Sequence, residues 1–88
     1  MEKGTKKKVQ RRLKIIEGQI RGLQKMINDD KYCIDILQQS AAVQSALKQV
    51  DQLLLRNHLH CCVTDAIKSN KGDEAILELL RIFKKIRE

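Results

Sequence analysis

Two thiols and an imidazole stand out in this chain by type and by spacing: Cys33, His58 and Cys62. Thiolate and imidazole donors make a soft ligand set, and a pair of thiols is equally open to oxidation or persulfide chemistry. What the three can do together depends on whether they point the same way. All three cysteines and both histidines lie between Tyr32 and Asn70, a stretch with no glycine and no proline. An apolar row runs through it at Leu37, Val43, Leu47, Val50, Leu54 and Val63, the spacing of one face of a helix. The pattern predicts one long, unbroken helix over about residues 31–69.

On such a helix, at about 100° per residue, His58 returns to within about 20° of the azimuth of Cys33, and Cys62 ends about 20° away on the other side. All three therefore share the stripe that carries the apolar row. His60 falls on the opposite face and Cys61 roughly 80° off the stripe. Yet Cys33 and His58 lie roughly 37 Å apart along a straight helix, so one chain cannot bring them to one ion. Two copies packed antiparallel about a two-fold axis near Ala46 and Leu47 can. Cys33 of one then meets His58 and Cys62 of the other, and symmetry builds the site twice, one ion per protomer. Small residues near that midpoint, Ser40, Ala41, Ala42, Ser45 and Ala46, would let the helices approach closely.

Two thiolates and one imidazole suit Cu(I), which accepts three-coordinate geometry. Zn(II) would ask for a fourth ligand, and nickel would need one from His60, Cys61 or an N-terminal group. A redox reading competes, in which Cys33 of one chain and Cys62 of the other are joined by a disulfide or polysulfide link. His58 separates the two, since a dithiol sensor needs no imidazole on the stripe. A copper buffer or chaperone would use the same ligands but has no use for a basic surface. A nucleophile-base pair of cysteine and histidine is the remaining class. The chain offers it no pocket-forming loops, no third orienting group and too little mass for a substrate cleft, so an enzyme is not expected.

The elements that must position these residues are helices. The 88 residues make one domain, 1–88, near the size at which a single core is marginal. The absence of proline and the richness in Lys, Leu, Ile, Gln and Ala favour an all-α fold, and nothing alternates at period two. Three helices are expected, at about 6–28, 31–69 and 73–87, after a flexible tail at 1–5. In the first, Val9, Leu13, Ile16, Ile20, Leu23 and Ile27 recur in a heptad-like stripe, while Arg11, Arg12, Lys14, Arg21 and Lys25 occupy its other faces. Gly18 and Gly22 each cost roughly 1 kcal/mol against alanine and read as places where another helix crosses closely or a ligand backbone approaches, the packing role being the preferred one. Asn28, Asp29 and Asp30 form a turn, either aspartate being suited to cap the long helix. A second stop follows at Asn70 to Asp73, with Gly72 suited to a left-handed cap and Asp73 to the next N-cap. The last helix, on Ile76, Leu80 and Phe83, must dock on the other two. A long helix in so short a chain cannot cover its own stripe, so an antiparallel dimer with a four-helix-bundle core is the expected remedy.

A formal charge of +7 and a pI near 9.6 point to a polyanionic partner. Tyr32 and Phe83 are the only aromatics, so there is no stacking platform for single-stranded nucleic acid. Duplex DNA fits better, held through phosphates and shape and released by salt, since no helix-turn-helix is evident. No apolar run approaches membrane-spanning length, and the basic start from Lys3 to Lys8 is not followed by the apolar core of a signal peptide. A cytoplasmic chain with no membrane contact is expected. In that reducing compartment an odd number of cysteines reads as ligands or sensors.

The first-helix segment Arg12-Leu13-Lys14-Ile15-Ile16-Glu17-Gly18-Gln19-Ile20-Arg21-Gly22 comes first in a series of matching motifs. With Tyr32-Cys33, Asp35-Ile36-Leu37, Ala42-Val43, Ala46-Leu47-Lys48, His58 and Cys62, it resembles the CsoR family of copper-sensing repressors over nearly the whole chain. The first-helix segment is shared by the wider family, which includes nickel, formaldehyde and persulfide sensors. The resemblance implies an all-helical dimer that pairs into a homotetramer, binds operator DNA when metal-free, and releases it on binding Cu(I), so that copper-resistance or efflux genes are derepressed. It assigns Cys33, His58 and Cys62 as ligands and places Tyr32 and Glu78 beside them. A carboxylate at Glu78 would hold the non-ligating nitrogen of His58. It puts Arg12 and Lys48 on basic positions used for DNA, and Lys14 and Arg21, on the polar faces of the first helix, are further candidates for DNA contact. Two departures stand out: Ile15 and Gln49 occupy positions where basic residues are common in the family.

Overall fold

The computed structural model describes residues 1–87. All regular structure among them is helical: α1 (Lys3–Asn28), α2 (Cys33–His58), a π-helical turn (Leu59–Val63), α3 (Thr64–Lys68) and α4 (Gly72–Arg87). None of these helices is long and apolar enough to cross a membrane. The expected domain runs to residue 88, and that last position lies outside the described residues. By internal packing the chain divides into two compact units, one from Glu2 to Leu54 and one from Leu55 onward.

In the first unit, α1 starts at Lys3, so the expected tail at 1–5 is mostly helix. Glu2 supplies the extended residue before it, and its carbonyl accepts the Lys6 amide at 2.9 Å. Lysine is a good helix former and proline is absent, so nothing in the run stops the helix earlier. Its first turn carries no acid to offset the helix dipole. The core is small: Val9, Ile16, Val43 and Val50 are buried, with Leu23, Ala46, Leu53 and Leu54 packed against them. The expected stripes thus split into two rows. In α1 the row Val9, Ile16, Leu23 turns inward, while Leu13, Ile20 and Ile27 stay exposed. In α2, Val43 and Val50 are buried, while Leu37 and Leu47 are exposed. A Cβ added at Gly18 or Gly22 would meet nothing within 4 Å. Within the chain, therefore, no helix crosses closely at those glycines.

The turn after α1 is a Schellman motif. Asp30 takes the left-handed conformation at φ 53°, Lys31 N–H donates to the Met26 carbonyl at 3.0 Å, and Asp30 N–H to that of Ile27 at 3.2 Å. Asp30 therefore closes α1 and does not cap α2. The first turn of α2 is anchored instead on the Tyr32 carbonyl, which accepts from Asp35 and Ile36. The same motif ends α3: Asn70 sits at φ 61°, and Lys71 N–H donates to the Ala66 carbonyl at 2.7 Å. The left-handed position expected of Gly72 thus belongs to Asn70, because a short polar side chain tolerates it next best after glycine. Gly72 opens α4, where a Cβ would stand 3.1 Å from Ile67 Cγ1, and Asp73 lies inside the first turn, not at the N-cap.

The long helix departs from expectation too. It begins at Cys33, ends at Lys68, and is interrupted by the π turn. There the Thr64 hydroxyl donates to the Leu59 carbonyl at 3.1 Å, satisfying an acceptor five residues back. In the second unit Val63 and Asn57 are buried, and α4 packs on the π turn and α3. It does so through the half-buried row Gly72, Ala75 and Leu79, leaving the expected docking row Ile76, Leu80 and Phe83 exposed. Both rows have helical spacing, and the one with the smaller residues allows the closer approach.

Replacing Asn70 by Gly should raise unfolding stability by about 0.5–1 kcal/mol, and replacing it by Val should lower it by about 1–2 kcal/mol, since the left-handed strain is the larger part of each change. Urea unfolding at fixed protein concentration measures both, and an unchanged midpoint for the Val variant would contradict the assigned cap.

Candidate metal centre and basic face

The ligand candidates fall into two halves, one in each compact unit. Cys33 is the first residue of α2, and its thiol is exposed. Tyr32, just outside the helix, is 70% exposed. The other half lies at the junction of α2 and the π turn: His58 ends α2 half-buried, Cys62 is exposed and Cys61 half-buried. His60 is exposed. None of the three thiols is tied up in a disulfide. Among the described residues no group of three or more His, Cys, Asp or Glu side chains is placed to hold a metal ion.

The π turn changes the expected aim of Cys62. In an α-helix a histidine and a cysteine four apart sit one above the other on one face. A π turn holds more residues per turn, so each residue after His58 advances less around the axis and Cys62 lags behind its α-helical azimuth. The arithmetic that put Cys62 on the inner stripe and Cys61 off it assumed an unbroken helix. In the structure Cys61 is the more covered of the two and Cys62 faces outward. Glu78, expected beside His58, is an exposed residue of α4, the helix that packs on the π turn.

The basic candidates Arg12, Lys14, Arg21 and Lys48 are all exposed. Two of them have partners that differ in kind. Arg12 Nη1 donates to Gln49 Oε1 at 2.6 Å, joining α1 to α2 through a neutral acceptor. Arg21 Nη2 lies 3.6 Å from Glu17 Oε1, an anion one turn earlier on the same helix. Sequence reasoning treated Gln49 only as a missing basic residue and overlooked its use as an acceptor. It also passed over Gln19, whose Oε1 is buried in α1 without a hydrogen-bond partner. Periodicity ranks both glutamines as ordinary polar positions, so only the fold marks them.

A family model described as metal-sensitive transcriptional repressor matches residues 5–85. The chain is 56% identical over 80 residues to the copper-sensing transcriptional repressor CsoR of Bacillus subtilis, covering 91% of this chain and 79% of that protein. The crystal structure of the copper-sensing repressor CsoR with Cu(I) from Geobacillus thermodenitrificans superposes with a TM-score of 0.93 at 43% identity, over 100% of this chain and 92% of that one. The nickel-responsive transcriptional regulator InrS is more distant, with a TM-score of 0.74 at 34% identity over 90% of this chain and 89% of its own.

The contrast between the two arginines has a measurable result. Replacing Glu17 by Gln removes the anion beside Arg21 and should shift elution from heparin to higher salt. Glu74→Gln makes the same change in net charge on α4 and serves as the control. Equal shifts would mean that the Glu17 carboxylate does not locally screen Arg21.

Proposed function

Because the chain belongs to the family of metal-sensitive transcriptional repressors, we propose that it is a cytoplasmic repressor that holds operator DNA when metal-free and releases it on binding Cu(I). The donor set carries the choice of metal. Two thiols outside any disulfide and one imidazole fit a soft monovalent ion that accepts three ligands, and they leave a harder divalent ion short of a full shell. Similarity to the Bacillus subtilis and Geobacillus thermodenitrificans copper sensors, above that to the nickel regulator, supports the same choice.

In this reading Cys33 of one protomer and His58 and Cys62 of its partner hold one ion per protomer, with Tyr32 and Glu78 beside them. The uncovered rows support a second copy. Leu13, Ile20, Ile27, Leu37 and Leu47 present an apolar surface that one chain leaves in water, where antiparallel pairing into a four-helix bundle would bury it. The buried Gln19 Oε1, which costs about 1–3 kcal/mol while unpaired, would gain a chance of a donor at such an interface. A tetramer, as a dimer of dimers, would use the exposed Ile76, Leu80 and Phe83 of α4.

Arg12, Lys14, Arg21 and Lys48 form the operator-facing charge, contacting mainly phosphates. Release requires that the ion bind the DNA-incompetent state more tightly, by a coupling free energy shared equally with DNA. The route offered by the fold is short. His58 ends α2 at the π turn, α4 packs on that turn, and a carboxylate on α4 at Glu78 can hold the imidazole nitrogen that the ion leaves bare. Through Glu78, an ion held at His58 would be tied to the position of α4.

An anaerobic Cu(I) titration of the reduced protein against a colorimetric chelator, run beside His58→Ala, tests this reading. Native protein should take one ion per protomer and lose its hold on a duplex selected from a randomised pool. The variant should bind Cu(I) weaker by at least the roughly 10- to 100-fold that even an outer partner contributes. Weak Cu(I) binding in both proteins, with Ni(II) or a polysulfide releasing the duplex instead, would assign the inducer to that agent.

A further inference from the structure

We infer that Gln49 is a positioning residue for operator binding: it holds the Arg12 guanidinium in place across α1 and α2 without cancelling its charge. The inference deepens the proposed function and rests on its assignment of Arg12 to operator phosphate. Three observations carry it. The bond is short, 2.6 Å from Arg12 Nη1 to Gln49 Oε1, at or below the short end of N–H···O bonds, and its donor is charged. Both ends are built on fixed backbone. Val9 and Ile16, about one turn before and after Arg12, are buried, as is Val50, the neighbour of Gln49. Finally, the acceptor is neutral.

That last point decides what the contact is for. A long arginine side chain has much rotamer freedom to lose when it meets a phosphate, and a pre-set guanidinium has already lost it. A carboxylate would position it as well but would also compete with the phosphate for the same charge. Arg21 illustrates the alternative, with Glu17 Oε1 3.6 Å away. An amide oxygen occupies one guanidinium donor, leaves the others for a ligand and leaves the positive charge whole. Position 49 thus contributes to phosphate binding through its neighbour, although it carries no charge of its own.

The test measures affinity of the metal-free full-length protein for a duplex selected from a randomised pool, over a range of salt concentrations. Arg12→Ala should weaken binding and flatten the log-log salt slope by about 0.9, one phosphate contact. Gln49→Ala should weaken binding roughly three- to tenfold, the scale of one net hydrogen bond, and flatten the same slope in part. Combined with Arg12→Ala, it should add nothing. Gln49→Glu keeps an acceptor but adds a negative charge, and should weaken binding more than Gln49→Ala. If Gln49→Ala binds like the native chain while Arg12→Ala is weakened, the positioning role is overturned and the phosphate contact of Arg12 stands. If Arg12→Ala leaves affinity and slope unchanged, both fall. Loss on Gln49→Ala that persists without Arg12, or that tracks a lowered unfolding midpoint, makes Gln49 an independent contact or a structural clamp and overturns the inference.

Discussion

Apolar burial is the constraint on which everything else in this chain depends. Among the described residues only Val9, Ile16, Val43, Val50 and Val63 are buried hydrophobics, and no side chain is fully buried. At about 25 cal/mol per Å² of apolar surface removed from water, so few small side chains offset little of the chain entropy of folding. The missing stabilisation is already present in the sequence as a second heptad row on α1 and exposed leucines on α2. Covering that surface with another copy would complete the core. In the proposed reading, the same act of association would also assemble the metal site, so folding, assembly and ligand geometry would be linked rather than separate steps.

Helical content, the order of the helices and the apolar rows were legible in the sequence, because periodicity reports which faces can be buried. Which of two neighbouring rows is buried within a chain was not legible. Leu37 and Leu47 share the spacing of Val43 and Val50 but stay exposed, and on α4 the row through Ala75 and Leu79 packs while that through Ile76 and Leu80 does not. Spacing identifies a stripe, whereas the partner that covers it is settled by close approach in space. Caps were misplaced for a related reason. Glycine is the first guess for a left-handed residue, yet Asp30 and Asn70 fill those positions here, and Gly72 stands where an added Cβ would lie 3.1 Å from Ile67 Cγ1.

The candidate site shows the same limit at finer scale. Cys33, His58 and Cys62 were singled out by residue type and by an α-helical arithmetic that the π turn breaks before Cys62, and the basic residues by charge and by resemblance. The π turn was not, because no proline or glycine marks it; its visible support is a threonine hydroxyl reaching back to the Leu59 carbonyl. Nor does Gln49 announce itself in a list of charged residues. A neutral acceptor matters only once the fold places it opposite an arginine.

A helix with one π turn behaves as a rod with a phase offset. Every residue beyond Val63 points where its predecessor would point on a regular helix, so the faces of α3 are set by an irregularity several residues upstream. The offset cannot be transplanted by copying ligand spacing. A histidine and a cysteine four apart, grafted onto a uniform α-helix, would keep their separation in sequence and lose the relative orientation they have here. To reproduce this orientation of a histidine and a cysteine in another helical bundle, the unit to copy is the whole segment from His58 to Thr64, including the hydroxyl that closes it.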